Sequence, residues 1–300
     1  MSSEVENDFI KLHDLIEVDF EFYQATYPDL STFTEEQLYD HYSLHGYWEG
    51  RAGSKYCSRA ELIKIVPEKA LELGPFNSPL IGGDDVKYFD VLSKTKLIKR
   101  AEDIGISIDE IPHIDYVSKH GDLGIVEEKF DAVISSHNIE HQTDLISHFR
   151  SVAEILNDTG KYFLIVPHSK FCFDAALGNT KVSDIFNAFY EKRKLHTVGS
   201  VIEHIALTVH NDPQKHWEAA QREEDRTKVR KLNSKKISSA LHTYDAHGKT
   251  YIDVHAWQFT PISFSNILNC LIEMGIVPFS KVRVFGQVLG SNEFTAIIEK

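Results

Sequence analysis

From residue 58 to the end of the chain, short apolar runs alternate with longer amphipathic stretches, and this alternation restricts the possible folds most. Four runs have the length and apolar content of buried strands: KALELGP, VKYFDVL, FDAVISSH and KYFLIVP. Between the last two lies a predicted helix with Thr143 as its N-cap and Gly160 beyond its end. Its apolar face consists of Leu145, Phe149, Val152, Ile155 and Leu156. The order strand, helix, strand predicts an α/β fold with a mainly parallel sheet, helices on both faces and right-handed crossovers.

Two further segments complete the predicted domain of residues 56–300. The last two apolar runs, KVRVFGQV and EFTAIIEK, flank Leu289-Gly290-Ser291-Asn292, which predicts a C-terminal antiparallel hairpin. Residues from about 174 to 250 are polar and mostly helical in pattern, so we expect a helical insertion between strands. An insertion that leaves a parallel strand emerges at the carboxyl end of the sheet, where ligands bind, so we expect it to act as a lid.

Residues 1–55 predict a small acidic helical module. Aromatic residues recur there at helical spacing, and two short helices are expected on either side of Pro28. Because the α/β pattern begins only after the GRAGS segment, we expect the module to be separable from the rest.

Charge and composition exclude several classes of function. The net charge of −13 would repel phosphate backbones, so nucleic acid is not an expected partner. No stretch has the ~20 apolar residues of a membrane span, and the N-terminus lacks the features of a signal peptide. The three cysteines have no metal-like spacing and do not suggest a disulfide framework, which favours a cytoplasmic location.

Polar residues and glycine follow the predicted strands at the expected ligand-binding edge. Gly74 would let the backbone approach a ligand closely, and the lack of G-x-G-x-x-G argues against a nicotinamide cofactor. Asp90 ends the second strand, where a carboxylate can accept hydrogen bonds from both hydroxyls of a ribose. A nucleoside-containing cofactor is therefore the expected ligand.

Three motifs, in this order, resemble those of class I S-adenosylmethionine-dependent methyltransferases: L-E-x-G-x-x-x-x-P from residue 71, F-D-x-V-I-x-S-H-x-x-E-H from residue 130 and L-x-x-x-G-x-x-x-x-x-V-P from residue 156. The resemblance covers roughly residues 60–300 and implies a Rossmann-like fold with S-adenosylmethionine as cofactor. It is strongest to bacterial members encoded with glycan-assembly enzymes. The N-terminal module also resembles one found beside bacterial glycosyltransferases.

The resemblance implies a set of cofactor-binding residues. Glu72 and Gly74 would hold the methionine end, Asp90 the ribose, and Asp122 would lie near the adenine amine. Ser136 and His137 would line the floor beside the sulfonium. The predicted cofactor set is completed by Pro75, Asn77 and Leu123.

Methyl transfer to a hydroxyl needs in-line geometry and gains from a base that removes the hydroxyl proton. His141, His168 and His255 are the candidate bases, because each follows or flanks a strand end on the ligand side. These histidines could instead bind a divalent metal with Glu140 or Asp174, but no ligand spacing demands it, so no metal site is predicted.

The acceptor expected from the resemblance is a saccharide hydroxyl, on a nucleotide sugar or a surface glycan, with a glycosyltransferase as a possible partner. Aromatic residues that could stack on sugar faces are Trp217, Tyr244, Tyr251 and Trp257. The basic segment 215–236 could attract a phosphate or an acidic sugar. Two alternatives remain open: an inactive methyltransferase-like scaffold, and methylation of a small metabolite.

Overall fold

The computed structural model describes residues 11–218, 232–247 and 250–300. Within them, one sheet contains seven strands in the order β3-β2-β1-β4-β5-β7-β6. The strands are β1 (Ala70–Leu73), β2 (Val86–Asp90), β3 (Tyr116–Val117), β4 (Phe130–Ser136), β5 (Leu156–Pro167), β6 (Lys281–Val284) and β7 (Glu293–Glu299). The first five are parallel, whereas β7 is antiparallel to both β5 and β6. The predicted Rossmann-like α/β fold with its C-terminal hairpin is confirmed, and only the two-residue β3 was not foreseen.

Twelve α-helices are described in this part of the chain. They are α1 (Leu12–Leu15), α2 (Phe20–Thr26), α3 (Glu35–His41), α4 (Tyr47–Glu49), α5 (Arg59–Ile63), α6 (Lys94–Ile104), α7 (Leu145–Ile155), α8 (Val182–Tyr190), α9 (Val198–Ala206), α10 (Pro213–Trp217), α11 (Ser234–His247) and α12 (Pro261–Glu273). None of these helices is long and apolar enough to cross a membrane. The described parts of the predicted insertion contain α8 to α11.

The two faces of the sheet bury separate apolar clusters because successive strand side chains alternate in direction. In β5, Tyr162 and Leu164 belong to one cluster, and Phe163 and Ile165 to the other. Helices α7 and α12 pack in the first cluster, and α5 packs in the second. This double coverage explains why β5 reads as a continuous apolar run.

Helix α7 begins one residue later than the sequence suggests. Its N-cap is Asp144, whose carboxylate accepts a hydrogen bond from the backbone N–H of Ser147, so the prediction of Thr143 as cap is wrong. A carboxylate accepts a hydrogen bond from this unpaired backbone N–H as well as a hydroxyl does. Its negative charge also interacts favourably with the helix dipole. The Thr143 hydroxyl instead donates to the carbonyl of Arg193 at 3.0 Å. That bond ties the predicted insertion to the start of α7.

The N-terminal helices share their core with the sheet. The expected helices on either side of Pro28 are present, and Tyr23, Tyr42 and Tyr47 are buried in the same cluster as α12 and β6. The backbone N–H of Glu17 donates to the carbonyl of Val284, at the end of β6. The expectation of a separable module does not account for this packing. The boundary near residue 55 stays a prediction.

Candidate functional site

A cleft opens at the carboxyl ends of β1, β2 and β4. Gly74 follows β1, Asp90 ends β2 and His137 follows β4, and all three line the cleft. The strand order reverses at β1, because β2 and β3 lie on one side of it and β4 and β5 on the other. Ligands of open α/β sheets bind at such a switch point. This cleft is therefore the candidate functional site.

Gly74 gives the cleft an open floor. Its φ of +70° is one that L side chains rarely adopt, and a Cβ there would lie 2.9 Å from Nδ2 of Asn138. The Gly74 N–H donates to the carbonyl of Phe89 at 2.8 Å, which holds the turn against β2. A bound ligand can therefore approach the backbone at this turn without meeting a side chain.

Asp90 presents a buried carboxylate at the end of β2. Burial raises its pKa to about 6, although a hydrogen bond from the N–H of Leu92, 2.8 Å from Oδ1, acts in the opposite direction. A carboxylate with so little solvation gains from ligand hydroxyls that donate to it. The position and chemistry suit the predicted ribose contact.

Glu72 lies behind the cleft and does not line it. Its carboxylate accepts hydrogen bonds from the backbone N–H groups of Leu80 and Ile81, at distances of 2.9 to 3.3 Å. Burial raises the pKa of Glu72 to about 7. In the structure Glu72 therefore anchors the loop that follows β1.

Three other residues predicted to bind cofactor are also absent from the cleft lining. The Pro75 carbonyl accepts the Ser78 N–H in the turn after β1, and the Asn77 amide lies 3.5 Å from the carbonyl of Ser107. Ser136 accepts a hydrogen bond from the guanidinium of Arg59 at 2.7 Å. Pro75, Asn77 and Ser136 are occupied by local contacts.

Asp122 and Leu123 begin a short 3-10 turn beside the cleft. Leu123 is buried and lines the cleft, whereas Asp122 lines an adjoining cleft. The Asp122 carboxylate accepts the N–H of Gly124 at 2.9 Å and so caps the turn. Both residues are near enough to the main cleft for their predicted place beside an adenine.

His137 lines the cleft after β4 and contacts Glu293, the first residue of β7. His137 has φ of +48°, and its Nε2 lies 3.0 Å from the carboxylate of Glu293. Its Nδ1 is 3.9 Å from Oε1 of Glu140. The strained backbone and the contact with Glu293 hold this ring at the predicted position after β4.

His141 and His255, both predicted bases, lie side by side. Their rings meet edge to face with centroids 4.7 Å apart. Nδ1 of His255 is 2.7 Å from Asp174, and Nδ1 of His141 is 3.1 Å from Asp253. His141 lines the cleft, whereas His255 is buried behind it.

The electrostatic setting of His141 is acidic. Burial alone would lower its pKa, but Asp253 and Glu140 outweigh burial, and the pKa is raised above its usual value. For Asp253 the effects have the opposite sign. Burial alone would raise its pKa, but His141 and Arg100 outweigh burial, and the pKa of Asp253 is lowered.

His168, the third predicted base, lies outside this group. It is buried, and burial lowers its pKa to about 3. Its Nδ1 accepts the N–H of Lys170, and its ring packs against Phe171 and Phe294. His168 does not line the cleft, so the structure does not bring it together with His141 and His255.

Several cleft residues were not predicted from the sequence. Arg100 from α6 forms an ion pair with Asp253, and both residues line the cleft together with Lys194. These residues are distant in sequence and carry no motif, so only the folded chain brings them together. The available sequence clue to Asp253 was its position two residues before the candidate base His255, in the segment Ile252-Asp253-Val254-His255.

The predicted insertion borders the cleft, because Lys194 belongs to its lining. An adjoining, more open cleft is lined by residues 192–195 and by Ser147 and Ser151 of α7. Among the aromatic candidates only Tyr251 lines the main cleft; Trp217 stacks on Phe171, and Trp257 is buried. Tyr244 packs in the small cluster around Val201. Most of the expected basic segment, residues 219–231, lies outside the described residues.

Fold and site together define a Rossmann-like α/β protein with a ligand cleft at the switch point of its sheet. No protein-family profile and no curated protein matches the chain. Similar solved structures include S-adenosylmethionine-dependent methyltransferases of Mesorhizobium loti (21% identity, TM-score 0.28) and Clostridium acetobutylicum (15%, 0.29), and the CcbJ methyltransferase of Streptomyces caelestis (18%, 0.29). The matches cover 38%, 47% and 41% of this chain and 55%, 62% and 56% of those chains, respectively.

Proposed function

We propose that the chain is an S-adenosylmethionine-dependent methyltransferase. The observation that carries the proposal is the convergence of Gly74, Asp90 and His137 at the carboxyl ends of three adjacent strands, around one cleft. The motif resemblance expects the methionine end, the ribose and the sulfonium at these three positions. The buried Asp90 carboxylate adds the chemistry that two ribose hydroxyls require.

The bound cofactor would supply an electrophilic methyl group, and the chain would position it. Asp90 would hold the ribose, Leu123 and Asp122 would flank the adenine, and Gly74 would leave room for the methionine end. Glu72 supports this arrangement indirectly, because it anchors the loop after β1.

For the acceptor we propose a saccharide hydroxyl, carried by a nucleotide sugar or a glycan. The cleft beside the main one supports this, because its Ser147, Ser151 and basic residues 192–194 can pair with hydroxyls and with phosphate or carboxylate. His141 is the first candidate for the base that takes the hydroxyl proton, since it is the predicted base that lines the cleft. A glycosyltransferase partner and a cytoplasmic location remain predictions.

The test is calorimetric titration of the purified chain with S-adenosylhomocysteine. We expect micromolar binding, about −8 kcal/mol. Asp90→Ala should weaken it by roughly 1.5 to 3 kcal/mol, because hydrogen bonds to a charged group are lost.

Asp131→Ala is the matched control, because Asp131 lies near the start of β4, away from the carboxyl ends that form the cleft. If wild-type protein binds neither S-adenosylhomocysteine nor S-adenosylmethionine, the proposal fails, and an inactive scaffold becomes the better explanation. Equal affinity of Asp90→Ala and wild type would remove Asp90 from the site.

A further inference from the structure

Three potential metal ligands from two distant parts of the chain meet beside the cleft. Glu140 and His141 lie on a single 3-10 turn after β4, and His255 lies in the segment before α12. One ligand atom of each lies within 4.8 Å of the others. The backbone fixes this meeting, because the N–H of Ala256 donates to the carbonyl of Glu140 at 2.7 Å.

The Glu140 carboxylate is unsatisfied among the described residues. It is 0% exposed, and neither of its oxygens has a hydrogen-bond partner there. Burying an unpaired carboxylate is costly, so such groups in folded proteins are usually paired or bind a cation. The nearest nitrogens, Nε2 of His141 and Nε2 of His255, are 3.7 and 3.8 Å from Oε1, beyond hydrogen-bond range.

A carboxylate lies close to the outer nitrogen of each ring. Nδ1 of His255 is hydrogen-bonded to Asp174, and Nδ1 of His141 lies 3.1 Å from Asp253 without the geometry of a hydrogen bond. A carboxylate at Nδ1 favours the tautomer with the proton on Nδ1, which leaves a lone pair on Nε2. Two such lone pairs and one carboxylate oxygen would then lie within 4.8 Å of one another, and this combination of ligand atoms attracts a cation. Carboxylates behind ligating histidines are the usual support of protein metal sites.

The spacing suits a single ion. Two ligands bound at about 2.1 Å from a tetrahedral metal lie about 3.4 Å apart, close to the separations of the two Nε2 atoms from Oε1. We propose that Glu140, His141 and His255 bind one divalent transition-metal ion, with Asp174 and Asp253 as supporting carboxylates. Two imidazoles and one carboxylate favour ions such as Mn²⁺, Fe²⁺, Co²⁺ or Zn²⁺ over Mg²⁺ or Ca²⁺, which prefer oxygen ligands.

The role of the metal rests on the proposed methyltransferase function. Because His141 lines the cleft, a bound ion would be near an acceptor hydroxyl and would lower its pKa. The hydroxyl proton would pass to water, the oxygen would bond to the methyl carbon, and the electron pair of the breaking C–S bond would stay on sulfur. His141 would then act as a ligand and not as the base.

The test titrates chelator-treated wild-type protein with Mn²⁺ and, separately, Mg²⁺ by calorimetry. Co²⁺ absorption in the visible range reports on the ligands. We expect one Mn²⁺ per chain, clearly tighter than Mg²⁺. Glu140→Gln and His255→Gln should each weaken Mn²⁺ binding at least tenfold and alter the Co²⁺ spectrum. The matched controls Glu102→Gln and His45→Gln, at exposed positions, should leave both unchanged.

Thermal unfolding of the metal-free variants checks that they fold. Glu140→Gln removes an unpaired buried charge, so the metal-free variant should unfold at or above the wild-type temperature. Absence of stoichiometric Mn²⁺ binding, or equal binding by folded Glu140→Gln, would overturn the metal site. Titration with S-adenosylhomocysteine in parallel separates the two proposals: cofactor binding without metal overturns only the metal site, and metal binding without cofactor overturns only the methyltransferase function.

Discussion

At the residue scale, burial changes the proton affinity of two acids that the sequence presents as equivalent. Glu72 lies near the end of β1 and Asp90 ends β2, yet Glu72 accepts backbone hydrogen bonds behind the cleft and Asp90 faces into it. A sequence shows that an acid lies near the end of a strand, but not which way its side chain turns. That difference separates an anchor of the loop from a candidate ligand contact.

The affinity for S-adenosylhomocysteine should depend on the protonation of Asp90. The pKa of the free carboxyl is raised to about 6, and ribose hydroxyls that donate to it favour the ionised form. Below pH 6, binding must therefore release a proton, and affinity should fall by up to about tenfold per pH unit. Calorimetry between pH 5 and 7.5 measures this slope. The Asp90→Asn variant should bind S-adenosylhomocysteine weakly, and its affinity should hardly change with pH. A pH dependence equal to that of wild type would contradict the assignment of Asp90.

At the scale of elements, loops receive their shape from single side chains. Glu72 holds the loop after β1, and the Thr143 hydroxyl holds the chain near Arg193 against α7. Both contacts place a loop at the rim of the cleft. The sequence predicted the strands and helices around these loops, because periodicity reports burial. It could not predict the contacts, because they depend on residues that meet only after folding.

The Glu72→Gln variant should remove a pH dependence of stability. The folded-state pKa of Glu72 is about 7 and its usual value is 4.5, so the stabilisation is fully present below pH 4.5 and is lost as the pH rises through 7. The amide oxygen of Gln can still accept the loop N–H groups. Relative to the variant, wild type should lose up to about 3 kcal/mol between pH 4.5 and 8.

Denaturant unfolding of the two proteins at several pH values measures the difference. Glu102→Gln on the exposed surface of α6 is the matched control and should keep the wild-type pH dependence. Parallel curves for wild type and Glu72→Gln would show that Glu72 does not titrate with a raised pKa.

At the scale of the whole molecule, the sequence predicted the architecture well and only some of the residues that line the cleft. Gly74 and Asp90 were expected at the cleft because strand ends of a parallel sheet meet at one edge, and His137 was expected there from the motif resemblance; all three line the cleft. His168 was misleading, because it follows a strand end in the same way but turns into the interior. Arg100 gave no local signal, and Tyr251 was expected only as an aromatic residue that could stack on a sugar. The shared core of the N-terminal helices also escaped prediction, since a linker composed of small residues suggests independence.

The shared core predicts a single unfolding transition for the full chain. Tyr47 is buried against the sheet side of the molecule, and its carbonyl accepts the amide of Gln287 at 2.8 Å. Tyr47→Ala should lower the stability of the whole chain by about 3 to 5 kcal/mol, the usual cost of removing a large buried aromatic ring. Tyr190→Ala, at a position that is 78% exposed, is the matched control. Two separate calorimetric transitions, of which only one moves, would instead support a separable module.

The hydrogen bond between Glu17 and Val284 has a further consequence for how copies of the chain meet. Strand β6 is one outer strand of the sheet, and an uncovered outer strand offers free backbone groups to a strand of another molecule. Glu17 occupies the carbonyl of Val284, and its carboxylate also pairs with Arg283 at 3.0 Å. The opposite outer strand, β3, is only two residues long. Loss of the N-terminal segment would therefore turn the β6 side into a template for intermolecular strand pairing, with aggregation as its visible result.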